Sequence, residues 1–345
     1  MKQITRQECI DEMNRAFSIS LCFHPEASSS TCSRISSAHT ISRGSSLEKI
    51  AVSGKVYHFP QHIANMLRLS NDVNPIEVGI NRASVFRGFC NHHDNTTFSE
   101  IDQGSFELNP KNIFLIGYRS FCQELFNKQA ALNLIPFFRM GDKGKPIDEQ
   151  RNIQDGLDGL ELGLKCSLNR LASYKQKYDR LLLKEDYSCI KYLVIQLDCI
   201  PAIQCSGTIQ PEHDFTGDIL QDIANLGMLE LFSYSIIAAG NSGLIVFAWL
   251  DDLQICERFA LSYLSLPRDK MPPSAVILAF EYLSNVYFSC QWWNGLKDRG
   301  RQAVRDRVIS GLWGRRSSLD ISCADELQIL WNVKSLVTNL DIARN

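Results

Sequence analysis

The chain has 345 residues, 45% of them apolar, and a formal net charge of −2 at pH 7. That length allows two or three domains of roughly 100–200 residues and an ordinary buried core, while the balanced charge excludes a general attraction to nucleic acid or anionic lipid, so any such binding must come from a local patch. The opening MKQITRQECIDEMNRAF lacks the apolar run and small-residue cleavage site of a signal peptide, and no stretch approaches the ~20 apolar residues of a membrane span, so a soluble, cytoplasmic protein with no membrane partner is expected.

Twelve cysteines without a secretion signal read as reduced thiols and metal ligands instead of a disulfide framework. Cys122, Cys166, Cys189, Cys199, Cys256 and Cys290 sit singly in apolar segments and read as small buried hydrophobes. The first 93 residues hold His24, His39, His58, His62, His92 and His93 together with four cysteines, which marks a candidate metal site. This region is rich in Ser, Asn and Gly, with short strands expected at Thr40–Ser42 and Val56–Phe59 and a loop over Ser70–Pro75. It buries little apolar surface alone, so an internal staple is expected.

Asn109-Pro110 is a helix start, with Asn as N-cap and Pro at the first helical position, and the run that follows predicts a helix over 110–130. After the turn-rich break from Gly141 to Pro146, apolar residues recur every three or four positions from Ile153 to Leu181, predicting one long helix. Gly156, Gly159 and Gly163 on it read as a place of close approach to the preceding helix. From Lys191 the pattern changes to KYLVIQLD, PAIQCSG, MLELFSYSIIAA and GLIVFAWL, β-branched and aromatic runs that predict a mostly antiparallel sheet. Helices are expected again at Asp252–Leu266, Ser274–Tyr287 and Arg299–Leu312, covering one face of that sheet. The fold class is α+β, divided as a zinc-binding module over 1–105, a helical segment over 106–186 and an α+β domain over 187–345.

The chemical signal lies in LCFHPEASSSTCSRISSAHTISRGSSLEKI and GINRASVFRGFCNHHDNTTF. Cys22 and Cys32 form one pair, Cys90 and His93 another, and two separated pairs of soft ligands are what a tetrahedral zinc requires. Their order, with His39 and Asn81 between the pairs and His92 and Asp94 beside the second, resembles the HNH or ββα-metal nuclease family built on a treble-clef zinc module. The resemblance covers about residues 20–100 and implies His39 as general base, Asn81 on the following loop, and Asp94 or His92 on a catalytic Mg²⁺ or Mn²⁺, next to a structural zinc. Two departures stand out: a longer gap from His39 to Cys90, and Cys-x2-His followed by Asp where the family has Cys-x2-Cys followed by His. On the residues alone His39 is equally a zinc ligand or a core histidine, Asn81 a turn residue, and His24 a loop residue. The segments AHTI, GSSLEKIA and GINRASVFRGFCNHHD are also similar to those of a set of uncharacterised bacterial proteins, which implies no activity.

Two further features stand outside that module. Asp198, Glu212, His213, Asp214 and Asp218 form an acidic segment readable as a metal or acid–base cluster, or as turn and capping residues. QWWNGLKDRGRQAVRDRVISGLWGRR joins Trp292 and Trp293 to Arg301, Arg305, Arg307, Arg315 and Arg316, a pattern that tracks a phosphate backbone and stacks bases, or else the solvated side of a helix packed through Val304, Val308 and Leu312. No Gly-rich phosphate loop and no GxSxG elbow occurs. The expectation is therefore a zinc-stabilised HNH-like nuclease, or a nuclease-derived protein binding DNA or RNA, with a C-terminal sensing domain. The alternative is a non-enzymatic protein with a purely structural zinc, working through a protein partner or self-association.

Overall fold

The computed structural model describes residues 4–60, 73–102, 106–225, 227–313 and 321–341, and His62, Arg315, Arg316, the Leu312 side chain and the first part of the expected 70–75 loop lie outside the described residues. In chain order the helices are α1 (Arg6–Ala16), α2 (Asn91–Asp102), α3 (Pro110–Arg139), α4 (Ile147–Lys184), α5 (Gln254–Leu264), α6 (Met271–Tyr282), α7 (Cys290–Gly295) and α8 (Asp298–Trp313). The strands are β1 (Ala38–His39), β2 (Lys55–His58), β3 (Ile76–Gly79), β4 (Val85–Phe86), β5 (Ile190–Leu197), β6 (Ile203–Ile209), β7 (Phe232–Ala239), β8 (Ser242–Leu250), β9 (Val286–Phe288) and β10 (Val333–Thr338).

The α+β class and the antiparallel sheet are as expected, and the four apolar runs from Lys191 onward supply β5 to β8. Strand order in the large sheet is β10-β5-β8-β7-β6-β9-β2-β3, every pairing antiparallel, while β1 and β4 form a separate two-stranded ribbon. Helices cover both faces of the large sheet and not one. On one face α3 comes so close that a Cβ on Gly117 would lie 2.6 Å from Ser233 Oγ, and Ser120 Oγ bonds Ser206 Oγ. On the other face Phe259 of α5 stacks on Phe232 at 5.0 Å, and Tyr234 donates its hydroxyl proton to the Ala275 carbonyl of α6 at 2.8 Å. Strands buried on both sides read as continuous apolar runs, and the unalternating GLIVFAWL of β8 already carried that signal.

Three further expectations change. The helix expected over Ser274–Tyr287 ends at Tyr282, Leu283 turns extended (φ −113°, ψ 142°), and Val286–Phe288 become β9 between β6 and β2. The Asn285 side chain fixes this exit by donating to the Ser206 carbonyl at 2.9 Å. The α3 helix runs past 130 to Arg139, across Pro136, because Leu134 and Phe138 bury against Ala16 of α1. Finally, α4 does pack on α3, but through Tyr174 and Tyr178 against Phe121 and Phe114; nothing comes within 4 Å of where a Cβ on Gly156, Gly159 or Gly163 would sit.

The divisions at 105 and 186 follow real changes of sequence pattern, yet the sheet draws strands from both sides of them. Tyr57 of β2 pairs with Phe288 of β9, and Phe86, Phe114 and Phe247 share one buried cluster. Among the described residues no helix is long and apolar enough to cross a membrane.

Candidate metal centre

Three chain segments meet at the N-terminus of α2. Residues 21–23 run beside 87–88, with the Phe23 N–H on the Gly88 carbonyl at 2.9 Å, and this brings Cys22 to the end of β4. A tight turn in which the Cys32 N–H bonds the Ser28 carbonyl presents the second thiol, and the backbone then pairs again, Ser36 N–H to Phe89 O and Asn91 N–H to Arg34 O, both at 2.8 Å. Cys90 precedes α2 directly and His93 lies in its first turn, so the spacing of three puts both donors on one side of the helix.

The Sγ atoms of Cys22, Cys32 and Cys90 stand 3.4, 3.6 and 3.2 Å from His93 Nδ1. With Zn–S near 2.3 Å and Zn–N near 2.0–2.1 Å, a tetrahedral centre has S···N edges of about 3.6 Å, so the four donors fit one ion. All four ligand atoms lie within 4.8 Å of one another. The Cys90 N–H points at Cys22 Sγ (3.4 Å) and the His93 N–H at Cys90 Sγ (3.5 Å), donors that stabilise thiolate charge. Burial pushes the Cys22 thiol up to about 11, so binding a metal there at neutral pH would expel its proton. Cys90 is 1% and His93 3% exposed. A shell of four protein donors can hold a metal ion such as zinc and leaves no position open for a substrate.

All twelve cysteines are free. Of the six read as apolar-segment thiols, Cys122 and Cys256 are fully buried, whereas Cys166, Cys189, Cys199 and Cys290 reach the surface in part. His24 is a loop residue outside the four-donor shell, its ring stacked on that of His93 at 4.0 Å.

The other residues singled out in the sequence have other company. His39 is half-buried on β1, where Nε2 donates to the Ile80 carbonyl at 3.3 Å and burial lowers its pKa, so the neutral ring keeps its lone pair on Nδ1. Asn81 is exposed and accepts from Arg43 Nη1 at 3.1 Å. His92 is exposed on α2. Asp94 accepts from Ser36 Oγ at 3.2 Å and from Arg119 Nη2 at 3.3 Å; burial pushes its carboxyl up, and Arg119 only partly offsets this. Among the described residues the groups able to hold a metal are the Cys22, Cys32, Cys90 and His93 set and one of His24, Glu26 and His93; His39, Asn81, His92 and Asp94 enter neither.

Arg119 is the residue that sequence reasoning missed. Only 1% exposed, it grips Asp102 with both Nη atoms (2.8 and 2.7 Å), donates to the His39 carbonyl at 2.9 Å and lies 4.1 Å over the Phe98 ring. It ties β1, α2 and α3 together. Its signal was an arginine in the apolar run IFLIGYRSFC, where no solvated side of the helix is available to it.

In the described part of the C-terminal basic stretch Trp292, Trp293, Arg301, Arg305 and Arg307 each have a partner within the chain. Trp293 is buried and Trp292 donates its indole N–H to the Leu327 carbonyl at 3.1 Å. Arg301 donates to the Asn294 carbonyl (2.9 Å), Arg305 to Asn74 Oδ1 (2.8 Å) and Arg307 to Glu281 Oε2 (3.4 Å), while Val304 and Val308 are buried. In the acidic segment Asp214 closes its own loop by accepting from Thr216 and Asp218 N–H (both 2.9 Å), and Asp198 holds Asn332. Compared with protein-family models, curated proteins and solved structures, the chain matches none.

Proposed function

We propose that residues 20–102 are a zinc-stapled module of nuclease-derived, treble-clef-like frame, in which the zinc is structural and the protein acts through binding instead of catalysis. The observation that carries this reading is the state of Asp94. A catalytic Mg²⁺ or Mn²⁺ needs a free carboxylate, and here that carboxylate is engaged by Ser36 and by a buried guanidinium whose charge opposes a second cation. The frame itself is supported by the order of parts: a thiol pair, the β1–β4 ribbon with His39 on its first strand, then Cys90 and His93 at the start of α2. The intramolecular partners of Arg301, Arg305 and Arg307 favour a protein partner or a second copy of the chain over DNA or RNA.

One observation favours the active nuclease as a second reading: His39 is held in the tautomer a general base requires. The two separate in one experiment. Wild-type protein is incubated with single- and double-stranded DNA and RNA plus Mg²⁺ or Mn²⁺, and no cleavage above buffer is expected. Cleavage that falls roughly 10²–10⁴-fold in His39→Ala, with zinc content unchanged, would reverse the assignment.

A further inference from the structure

Next to the four-donor shell lies a second group of close polar atoms, His24, Glu26 and His93, that nothing in the frame explains. It shares His93 with the metal site. The three thiols face His93 Nδ1, which leaves Nε2 as the nitrogen available on the far side of the ring. The His24 ring lies flat against that of His93, 4.0 Å away and 7° from parallel. His24 Nδ1 accepts the Glu26 N–H at 3.2 Å, so its neutral ring carries its hydrogen on Nε2. The two stacked imidazoles and the one carboxylate thus each bring a ligand atom within 4.8 Å of the others.

We propose that Glu26 is the positioning residue of the metal shell: its carboxylate accepts the Nε2 proton of His93 and fixes that ring with Nδ1 on the ion, while His24 roofs the ring against water. The inference rests on the four-donor reading of Cys22, Cys32, Cys90 and His93. A ligating imidazole almost always donates its other N–H to a carboxylate, a carbonyl or water, and this bond orients the ring and raises its basicity. Glu26 is the carboxylate grouped with His93 and sits on the same loop as Cys22, so the loop that provides one thiol also aims the imidazole. The rival use of the trio, a second cation, would require His93 to lose both ring protons and bridge two ions.

The test uses the full chain loaded with zinc and titrated against a chromophoric chelator. Glu26→Ala is expected to weaken zinc binding roughly 10–100-fold, and Glu26→Gln, which still accepts one hydrogen bond, to recover part of the loss. In long-range ¹H–¹⁵N spectra the wild-type His93 ring should show one protonated nitrogen, Nε2, whose hydrogen exchanges with water more slowly than in Glu26→Ala. Unchanged affinity and unchanged exchange in Glu26→Ala would overturn the proposal, as would a second tightly held zinc in the wild type. Wild-type protein that holds no zinc, or a Cys90→Ser variant that keeps it, would overturn the four-donor reading and this inference together.

Discussion

A single guanidinium decides how the N-terminal module is held. Arg119 carries three acceptors in a site it almost fully shares with apolar neighbours, so removing it leaves Asp102 and Asp94 without their counter-charge. Arg119→Met is expected to destabilise the fold by roughly 1.5–3 kcal/mol, the scale of lost hydrogen bonds to a charged group, since Asp102 stays partly open to solvent, and Arg119→Lys to fall short of rescue because an ammonium cannot grip Asp102 with two parallel bonds. Urea denaturation of both variants checks this. His39 adds a pH dependence of definite sign. Its folded pKa is lowered by burial, so the unfolded chain binds the proton first, and stability is lost as pH falls below the ordinary 6.5. Thermal melts from pH 8 to 5 should show that slope, flattened in His39→Gln. The four-donor set was legible from residue type and spacing, since free thiols and imidazoles in separated pairs have few uses besides holding a metal. The partners of Asp94 were not, because Ser36 and Arg119 come from segments 58 and 25 residues away and no local pattern links them.

The glycines of α3 and α4 separate what a helix shows locally from what its neighbours impose. Both helices were readable, from the Asn-Pro start of one and the three-to-four spacing of the other, but the meaning of their glycines depends on packing. Gly117→Ala should cost about 1–3 kcal/mol, because the new Cβ would meet Ser233 at 2.6 Å. Changing Gly156, Gly159 and Gly163 together to Ala should stabilise, by roughly 0.5–1 kcal/mol each, since those positions face open space and alanine is the better helix former. Opposite shifts in melting temperature are the expected outcome. The same logic applies to α8, whose arginines read equally as a phosphate track or a packed helix. Arg301, Arg305 and Arg307 replaced by Gln should lower the melting temperature, with weak nucleic-acid retention and its salt slope unchanged from wild type.

The described residues build one large sheet with helices on both sides and a small ribbon beside it, and the sequence pattern suggested three pieces instead. Composition does shift near residues 105 and 186, but pairing across a sheet leaves no mark in local composition, and β9 is a three-residue strand hidden behind a helix. With Phe86 of the ribbon and Phe247 of the central sheet in one apolar cluster, loosening the metal site should loosen more than its own loop. Elemental analysis of the wild type is expected to give roughly one zinc per chain, and Cys90→Ser is expected to lose it and to lower the melting temperature of the entire cooperative transition. A separate early transition confined to the first hundred residues would count against a shared core.

The pairing of Tyr57 with Phe288 also sets a timetable. On the ribosome β2 emerges long before β9 and β6, and at the usual 5–20 residues per second its partner arrives on the order of tens of seconds later. All four donors of the candidate metal site, by contrast, are present once His93 has left the exit tunnel. A captured ion can therefore hold the nascent N-terminal segment in shape through that interval, keeping the β2–β3 hairpin with its unpaired edge close to where the rest of the sheet will grow.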